Sequence, residues 1–115
     1  MRFHLLGVTA MVSVMAAYGP ALAADDTPVF RLTLKDHKFD PPQITVPPGK
    51  RLLLIVRNGD DTPAEFESSK LGVEKVISAG REATIRLGPL TPGEYPFIDE
   101  FHQDLAKGVL IVSKE

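Results

Sequence analysis

The 115-residue sequence contains no cysteine and no tryptophan, and its three methionines all lie at or before Met15. Without cysteine, no disulfide can stabilise the chain, and no thiolate can serve as a metal ligand or a nucleophile. Beyond His4, the histidines are His37 and His102 alone. No serine lies in an arrangement typical of a nucleophile, and two histidines leave little room for a catalytic triad. These absences argue against a hydrolase.

The N-terminal segment has the pattern of a secretory signal peptide. Arg2 precedes an uncharged apolar run from Leu5 to Ala17, and Ala21-Leu22-Ala23 supplies small residues before a cleavage site. We predict a signal peptide over residues 1–23, with cleavage after Ala24 as the alternative. An uncleaved membrane anchor is disfavoured because the apolar run is too short. Export combined with the absence of cysteine favours a bacterial periplasm.

The segment that remains, residues 24–115, is long enough for one small domain with one core. One of the 13 basic residues, Arg2, would leave with the signal peptide, so that 12 basic residues face 15 acidic ones. No basic patch remains that would indicate a nucleic acid or an anionic membrane as a partner.

Short alternating segments, separated by proline and glycine, indicate strands throughout this domain. Apolar residues alternate or cluster in the stretches Val29–Leu34, Ile44–Val46, Arg51–Arg57, Ala64–Ser69, Ala83–Leu87, Tyr95–Asp99 and Val109–Val112. Leu71–Ile77 is compatible with a strand or with an irregular crossing, and the polar segment 36–42 reads as a connection ending in two prolines. No window has helical periodicity. The pattern predicts an all-β fold, a Greek-key β-sandwich.

The end of the Tyr95–Asp99 strand combines carboxylates with an imidazole. Alternation places Asp99 on the same side as Tyr95 and Phe97, and His102 follows in the next loop. Two adjacent strands whose loop carries these groups form a plausible small metal site. We predict Asp99, Glu100 and His102 as metal ligands, with Glu100 pointing away from Asp99 if the strand continues.

A second group of acidic residues lies in the Ala64–Ser69 segment. Strand alternation puts Glu65 and Glu67 on one face and Phe66 on the other, and we predict both glutamates as further metal ligands. A solvated surface role is the alternative for each. Glu74 is expected to pair with a lysine or arginine. His37, on an early loop, is as compatible with a surface position as with metal binding.

Three motifs resemble the cupredoxins, small copper-binding β-sandwiches: Val46-Pro-Pro-Gly-Lys50, Asn58…Glu65-Phe66, and Pro92-Gly-x-Tyr…His102…Gly108. A further resemblance, to the EfeO-type domain and the FtrB-like proteins associated with bacterial periplasmic iron transport, rests on Glu65-Phe-Glu-Ser68, Glu74-Lys-Val-Ile77 and Glu100-Phe-His102. Both resemblances imply a cupredoxin-like fold for nearly the whole exported chain.

Carried over residue by residue, the resemblance implies an altered metal site. Glu65 takes the position of the first histidine ligand, Asp99 that of the cysteine, and His102 that of the second histidine. The methionine position falls within 105–107, where no residue can replace it. A blue-copper site is therefore excluded, because it needs a thiolate.

The resemblance implies copper and/or iron, Cu(II) or Fe(II)/Fe(III), as the bound ion. Anionic oxygen ligands favour the higher oxidation state of iron, so we expect a ferroxidase-like accessory to an inner-membrane iron permease and other periplasmic iron-uptake proteins. A Cu(II) carrier without oxidase activity and a metal-free docking module for a permease complex are the alternatives. The oligomeric state stays open at this point.

Overall fold

The structure, a computed structural model, describes residues 26–115, and the predicted signal peptide lies outside the described residues. Within this range the chain forms β1 (Val29–Lys35), β2 (Lys38–Asp40), β3 (Gln43–Val46), β4 (Leu52–Asn58), β5 (Ala64–Ser68), β6 (Val73–Ile77), β7 (Glu82–Leu87), β8 (Gly93–Asp99) and β9 (Lys107–Val112). A short 3-10 helix, Glu100–His102, connects β8 to β9. No helix in residues 26–115 is long and apolar enough to cross a membrane.

The strands form two sheets, as the alternation predicted. One has the order β2-β1-β4-β7 and the other the order β3-β9-β8-β5-β6. β1 pairs with β4 and β3 with β9 in parallel, while the remaining pairs are antiparallel. Neighbours that are not consecutive in sequence require crossovers between the sheets, as in a Greek key. The all-β sandwich prediction is confirmed.

One apolar core fills the space between the sheets because every long strand alternates buried and exposed residues. Three phenylalanines pack together in the part of the core that lies nearest to Asp99. Phe39 meets the ring of Phe97 edge-on at 5.0 Å, and Phe66 lies 5.1 Å from Phe97. Gly108 lies directly opposite Phe97, where a Cβ would come within 2.4 Å of the ring. The bare glycine therefore leaves room for the Phe97 ring to lie across β9.

The segment 36–42 is not wholly a connection, as the sequence suggested, because β2 forms within it. Asp36 and His37 both adopt positive φ, 51° and 58°, and reverse the chain in two residues between β1 and β2. Such turns usually carry glycine or asparagine, so the sequence gave no turn signal at this point. β2 is short and lies at the sheet edge, immediately before Pro41 and Pro42.

Candidate metal centre

Asp99 is the most deeply buried charged residue at this end of the sandwich. It closes β8 on the inner face, as predicted, with no exposed surface. Its Oδ1 accepts hydrogen bonds from the backbone N–H of Glu65, at 2.9 Å, and of Phe101, at 3.1 Å. Its Oδ2 lies 2.9 Å from Nδ1 of His102. These three polar contacts offset the cost of burying a carboxylate.

His102 ends the 3-10 helix that Asp99 caps, which places the two residues three positions apart on the same loop. Its side chain is 27 % exposed. When Nδ1–H donates to the carboxylate of Asp99, Nε2 carries the free lone pair. A buried carboxylate behind an imidazole in this way fixes the ring and makes its other nitrogen a better metal ligand.

His37 reaches the same place from the opposite sheet. Its ring stacks on that of His102, with 3.8 Å between the centroids and 21° between the planes. Its Nδ1 is buried, makes no hydrogen bond, and lies 3.5 Å from Oδ2 of Asp60. An unpaired nitrogen in a buried position is costly and calls for an explanation.

Asp60 holds the turn that carries His37. Its carboxylate accepts the backbone N–H groups of Asp36, at 2.6 Å, and of His37, at 3.0 Å. Burial raises the pKa of Asp60. The two hydrogen bonds and the nearby charges of His37 and Lys35 lower it by more than burial raises it, so the pKa of Asp60 lies below its ordinary value of 3.8. Asn58 in turn fixes Asp60 through a side-chain bond to its backbone N–H.

His37, Asp99 and His102 therefore form one group, which we call the inner cluster. Each offers a ligand atom, and these atoms all lie within 4.8 Å of one another. Two separate segments supply them: the β1–β2 turn carries His37, and the end of β8 with the 3-10 helix that follows it carries Asp99 and His102. The structure thus brings together Asp99 and His102, which the sequence predicted, with His37, whose role it left open.

Glu65 and Glu67 lie on the other face of their sheet. They flank Phe66, whose ring is in the core, and together with Glu74 they form what we call the outer cluster, again with ligand atoms within 4.8 Å. The alternation predicted for Glu65 and Glu67 is confirmed. The structure does not gather these side chains with Asp99 and His102.

Glu74 has no lysine or arginine within ion-pair distance among the described residues, so the pairing expected from the sequence is wrong. It faces Glu67 directly across β5 and β6 instead. Glu100 is exposed while Asp99 is buried, and it lines a shallow depression together with Glu67. Glu100 therefore shares a surface depression with Glu67 of the outer cluster and is not a member of the inner cluster.

Asp60 had no place in the sequence-based site. Its role depends on hydrogen bonds to residues 23 and 24 positions away, which no local pattern reveals. The signal for His37 was equally non-local, since the turn that presents it contains no glycine.

Comparisons with known proteins agree with this fold. A family model described as a cupredoxin-like domain matches residues 3–112. An uncharacterized protein of Rickettsia prowazekii (strain Madrid E) is 39% identical over 109 residues, which is 95% of this chain and 87% of that protein.

Solved structures are similar in fold at low sequence identity. The metal-binding domain of the Cu(I)-exporting P-type ATPase CopA of Streptococcus pneumoniae D39, solved with Cu(I), is 19% identical with a TM-score of 0.66, covering 73% of this chain and 83% of that domain. Auracyanin from Roseiflexus castenholzii is 17% identical with a TM-score of 0.64, covering 76% and 98%. Auracyanin A, a blue copper protein from Chloroflexus aurantiacus, is 12% identical with a TM-score of 0.63, covering 74% and 98%. The family match and the shared sandwich together show that this chain belongs to the cupredoxin-like domain family.

Proposed function

We propose that this chain is an exported metal-binding protein that holds a copper or iron ion at the inner cluster. One observation carries the proposal: His37 comes from the opposite sheet to Asp99 and His102, and ligand atoms of all three lie within 4.8 Å of one another. Two of these side chains are already joined at 2.9 Å within the folded protein. Ligands that the fold holds in place cost less entropy on binding than ligands that must be gathered.

The donors of the inner cluster suit these metals. Imidazole nitrogen is a ligand for copper, iron, zinc and nickel, and carboxylate oxygen adds a preference for higher charge. The chain has no thiolate to offer, so a bound Cu(II) would not form a blue site. A copper or iron ion in this place supplies exchange of one electron, and the chain supplies the ligands and a buried carboxylate behind one of them.

The finer proposal is that the protein oxidises Fe(II) and passes iron to an inner-membrane permease in the periplasm. Its supports are the resemblance to EfeO-type and FtrB-like proteins and the leader pattern of residues 1–23. Glu65, Glu67 and Glu100 are proposed as the oxygen ligands that attract iron near the site. The exposed side chains of Phe101 and Leu105, at 50% and 60%, offer a partner an apolar contact beside His102.

The test is titration of the metal-free exported chain, residues 24–115, with Cu(II), Fe(II) and Mn(II), followed by calorimetry and by absorbance for Fe(III). The same titrations are made on a double variant, Asp99→Ala with His102→Ala, and on Asp104→Ala, an exposed carboxylate on the same loop. We expect tight Cu(II) or iron binding that the double variant loses and Asp104→Ala keeps.

Each outcome assigns a function. Binding with faster Fe(III) formation supports the ferroxidase-like role, whereas binding without it leaves a metal carrier. If wild type binds none of the three metals at micromolar concentration, the metal-binding proposal is wrong and a docking module remains.

A further inference from the structure

We propose that His37 and His102 are the metal ligands of the inner cluster, and that Asp99 and Asp60 are positioning residues that hold the two imidazoles. This inference rests on the metal-binding function proposed above. It divides these four residues into two Asp–His pairs, one from each sheet, in which a buried carboxylate lies against a partly exposed imidazole, and the pairs meet where the two rings stack.

Asp99 is poorly placed to bind an ion directly because its oxygens are already engaged. Both backbone contacts fall on Oδ1, and the imidazole of His102 occupies Oδ2, in a side chain with no exposed surface. Coordination through Oδ1 would displace a backbone donor and leave it unpaired, and coordination through Oδ2 would place the ion next to the Nδ1–H of His102 on a side chain with no exposed surface. A carboxylate that orients a histidine ligand needs no such rearrangement.

Asp60 positions His37 in the opposite sheet, as Asp99 positions His102. Its two oxygens accept the N–H groups of Asp36 and His37, whose positive φ is unfavourable for residues with a side chain. Strained turns persist where the surroundings hold them, and they concentrate at functional sites. Here the strain and the buried carboxylate together place one imidazole over another.

The second imidazole has to come from His37 because β5 does not offer a ligand on this face. Glu65 extends to the outer face, and only its backbone N–H reaches Asp99. His37 supplies the imidazole that β5 lacks. Its buried Nδ1 lies 3.5 Å from Oδ2 of Asp60 and makes no hydrogen bond, so a small movement of the ring would improve its contact with that carboxylate.

One ion cannot use both rings in their present orientation. The lone pair of an imidazole nitrogen lies in the plane of its ring, and these two planes are stacked 3.8 Å apart at only 21° from parallel, so the lone pairs do not converge on one nearby point. Binding must therefore tilt one ring out of the stack. We expect His37 to move, because the contact of His102 with Asp99 is 2.9 Å and that of His37 with Asp60 is 3.5 Å.

The experiment is Cu(II) titration of the exported chain with ¹⁵N-labelled histidine, read by calorimetry and by electron paramagnetic resonance (EPR). We expect two coordinated imidazole nitrogens in wild type and one in either His37→Ala or His102→Ala. Asp99→Asn and Asp60→Asn should keep two nitrogens and the wild-type g values while affinity falls about 10- to 100-fold. Pulsed EPR should show an altered remote Nδ1 in Asp99→Asn, since an amide is a weaker acceptor.

Exposed neighbours provide matched controls: Asp61→Asn beside Asp60, and Asp104→Asn beyond Asp99, should both bind Cu(II) as wild type does. Circular dichroism checks that each variant folds, and Asp60→Asn carries the test if Asp99→Asn does not. The inference would be overturned if His37→Ala gave the same EPR spectrum as wild type. It would also be overturned if Asp99→Asn changed the g values and lost as much affinity for Cu(II) as His102→Ala does. Failure of wild type to bind any of Cu(II), Fe(II) and Mn(II) contradicts the metal-binding function itself.

The tilt has a separate readout in the nuclear magnetic resonance spectrum with Zn(II), which is diamagnetic. Stacked rings shift each other's proton resonances, so Zn(II) should move the ring protons of both histidines in wild type. In Asp60→Asn the His37 resonances should already differ before any metal is added. Ring protons that keep their stacked shifts at saturating Zn(II) would contradict the proposal.

Discussion

The inner and outer clusters both bring three ligand-type side chains within 4.8 Å, yet the fold treats them differently. Asp99 of the inner cluster is fully buried and makes hydrogen bonds to two other segments. The outer cluster lies on two adjacent strands and opposes Glu67 to Glu74, with no lysine or arginine of residues 26–115 within ion-pair distance of either. Proximity alone therefore does not distinguish a site. What distinguishes the inner cluster is that buried partners hold its members in place.

The largest expected difference concerns the stability of the metal-free protein. Asp99→Ala removes the acceptor of two backbone N–H groups and the partner of His102, so we expect the free energy of unfolding to fall by about 3 kcal/mol. Urea denaturation of the exported chain measures it. Asp104→Ala, at an exposed position, should change this free energy by less than about 0.5 kcal/mol. Equal effects of the two substitutions would show that the contacts of Asp99 do not hold the loop.

A bound metal should sharpen the contrast. At free Cu(II) of about 100 times Kd, the unfolding free energy of wild type should rise by about 2.7 kcal/mol, because the ion binds the folded state alone. We expect Cu(II) to raise the unfolding free energy of Glu67→Gln by the same amount and that of His102→Ala hardly at all. A chelator should remove the increase. If Glu67→Gln loses the protection as fully as His102→Ala, the two clusters form one site, as the sequence-based ligand set implied.

The dependence of stability on pH should report on Asp60, the carboxylate that holds the turn carrying His37. The pKa of Asp60 is lower in the folded protein than its ordinary value, so its ionised form stabilises the fold above about pH 4. This contribution is lost as pH falls from about 4 through the folded pKa. Asp60→Asn should cost about 2 kcal/mol at pH 7, from weakened hydrogen bonds to Asp36 and His37, and less at pH 3. Urea titrations at both pH values measure the change.

The control for this experiment is Asp61→Asn, the exposed neighbour, for which we expect little effect at either pH. A cost of Asp60→Asn that stays constant between pH 7 and pH 3 would contradict the assignment of the stabilisation to the ionised carboxylate.

The sequence was sufficient for the fold and named two of the three residues of the inner cluster. Alternation placed Asp99 with Tyr95 and Phe97 on the buried face, and the structure confirms it, because a strand's two faces follow directly from its period of two. The same rule put Glu65 and Glu67 on one face, but it could not say that this face lies away from Asp99. That depends on which strands pair, and β5 pairs with β8 across 33 residues, Phe66 opposite Asp99.

The rest of the inner cluster could not be read locally. The turn at Asp36 and His37 contains no glycine, and its conformation is held by Asp60, three strands later. The local sequence therefore predicted a connection over residues 36–42, whereas hydrogen bonds to the distant Asp60 carboxylate hold the turn that lets β2 form there. The expected partner of Glu74 was wrong for a similar reason, because register with β5 decides what lies opposite it.

The smallest expected effect tests whether the outer cluster is simply a set of repelling charges. Glu67 and Glu74 are directly opposite, and like charges in that relation are destabilising, so Glu67→Gln should raise the unfolding free energy by about 0.3 kcal/mol in chelated buffer. Glu82 gives a control of opposite sign because it lies across from Arg57, and Glu82→Gln should lower the same quantity slightly.

Salt separates this electrostatic account from a packing effect. At about 1 M NaCl the Debye length is about 3 Å, so both differences should shrink towards zero in urea denaturation. A gain in Glu67→Gln that persists at this salt concentration must come from contacts other than charge repulsion. A loss of stability in Glu67→Gln would mean that the ionised carboxylate is itself stabilising, and the outer cluster would then resemble the inner one in being held by favourable interactions.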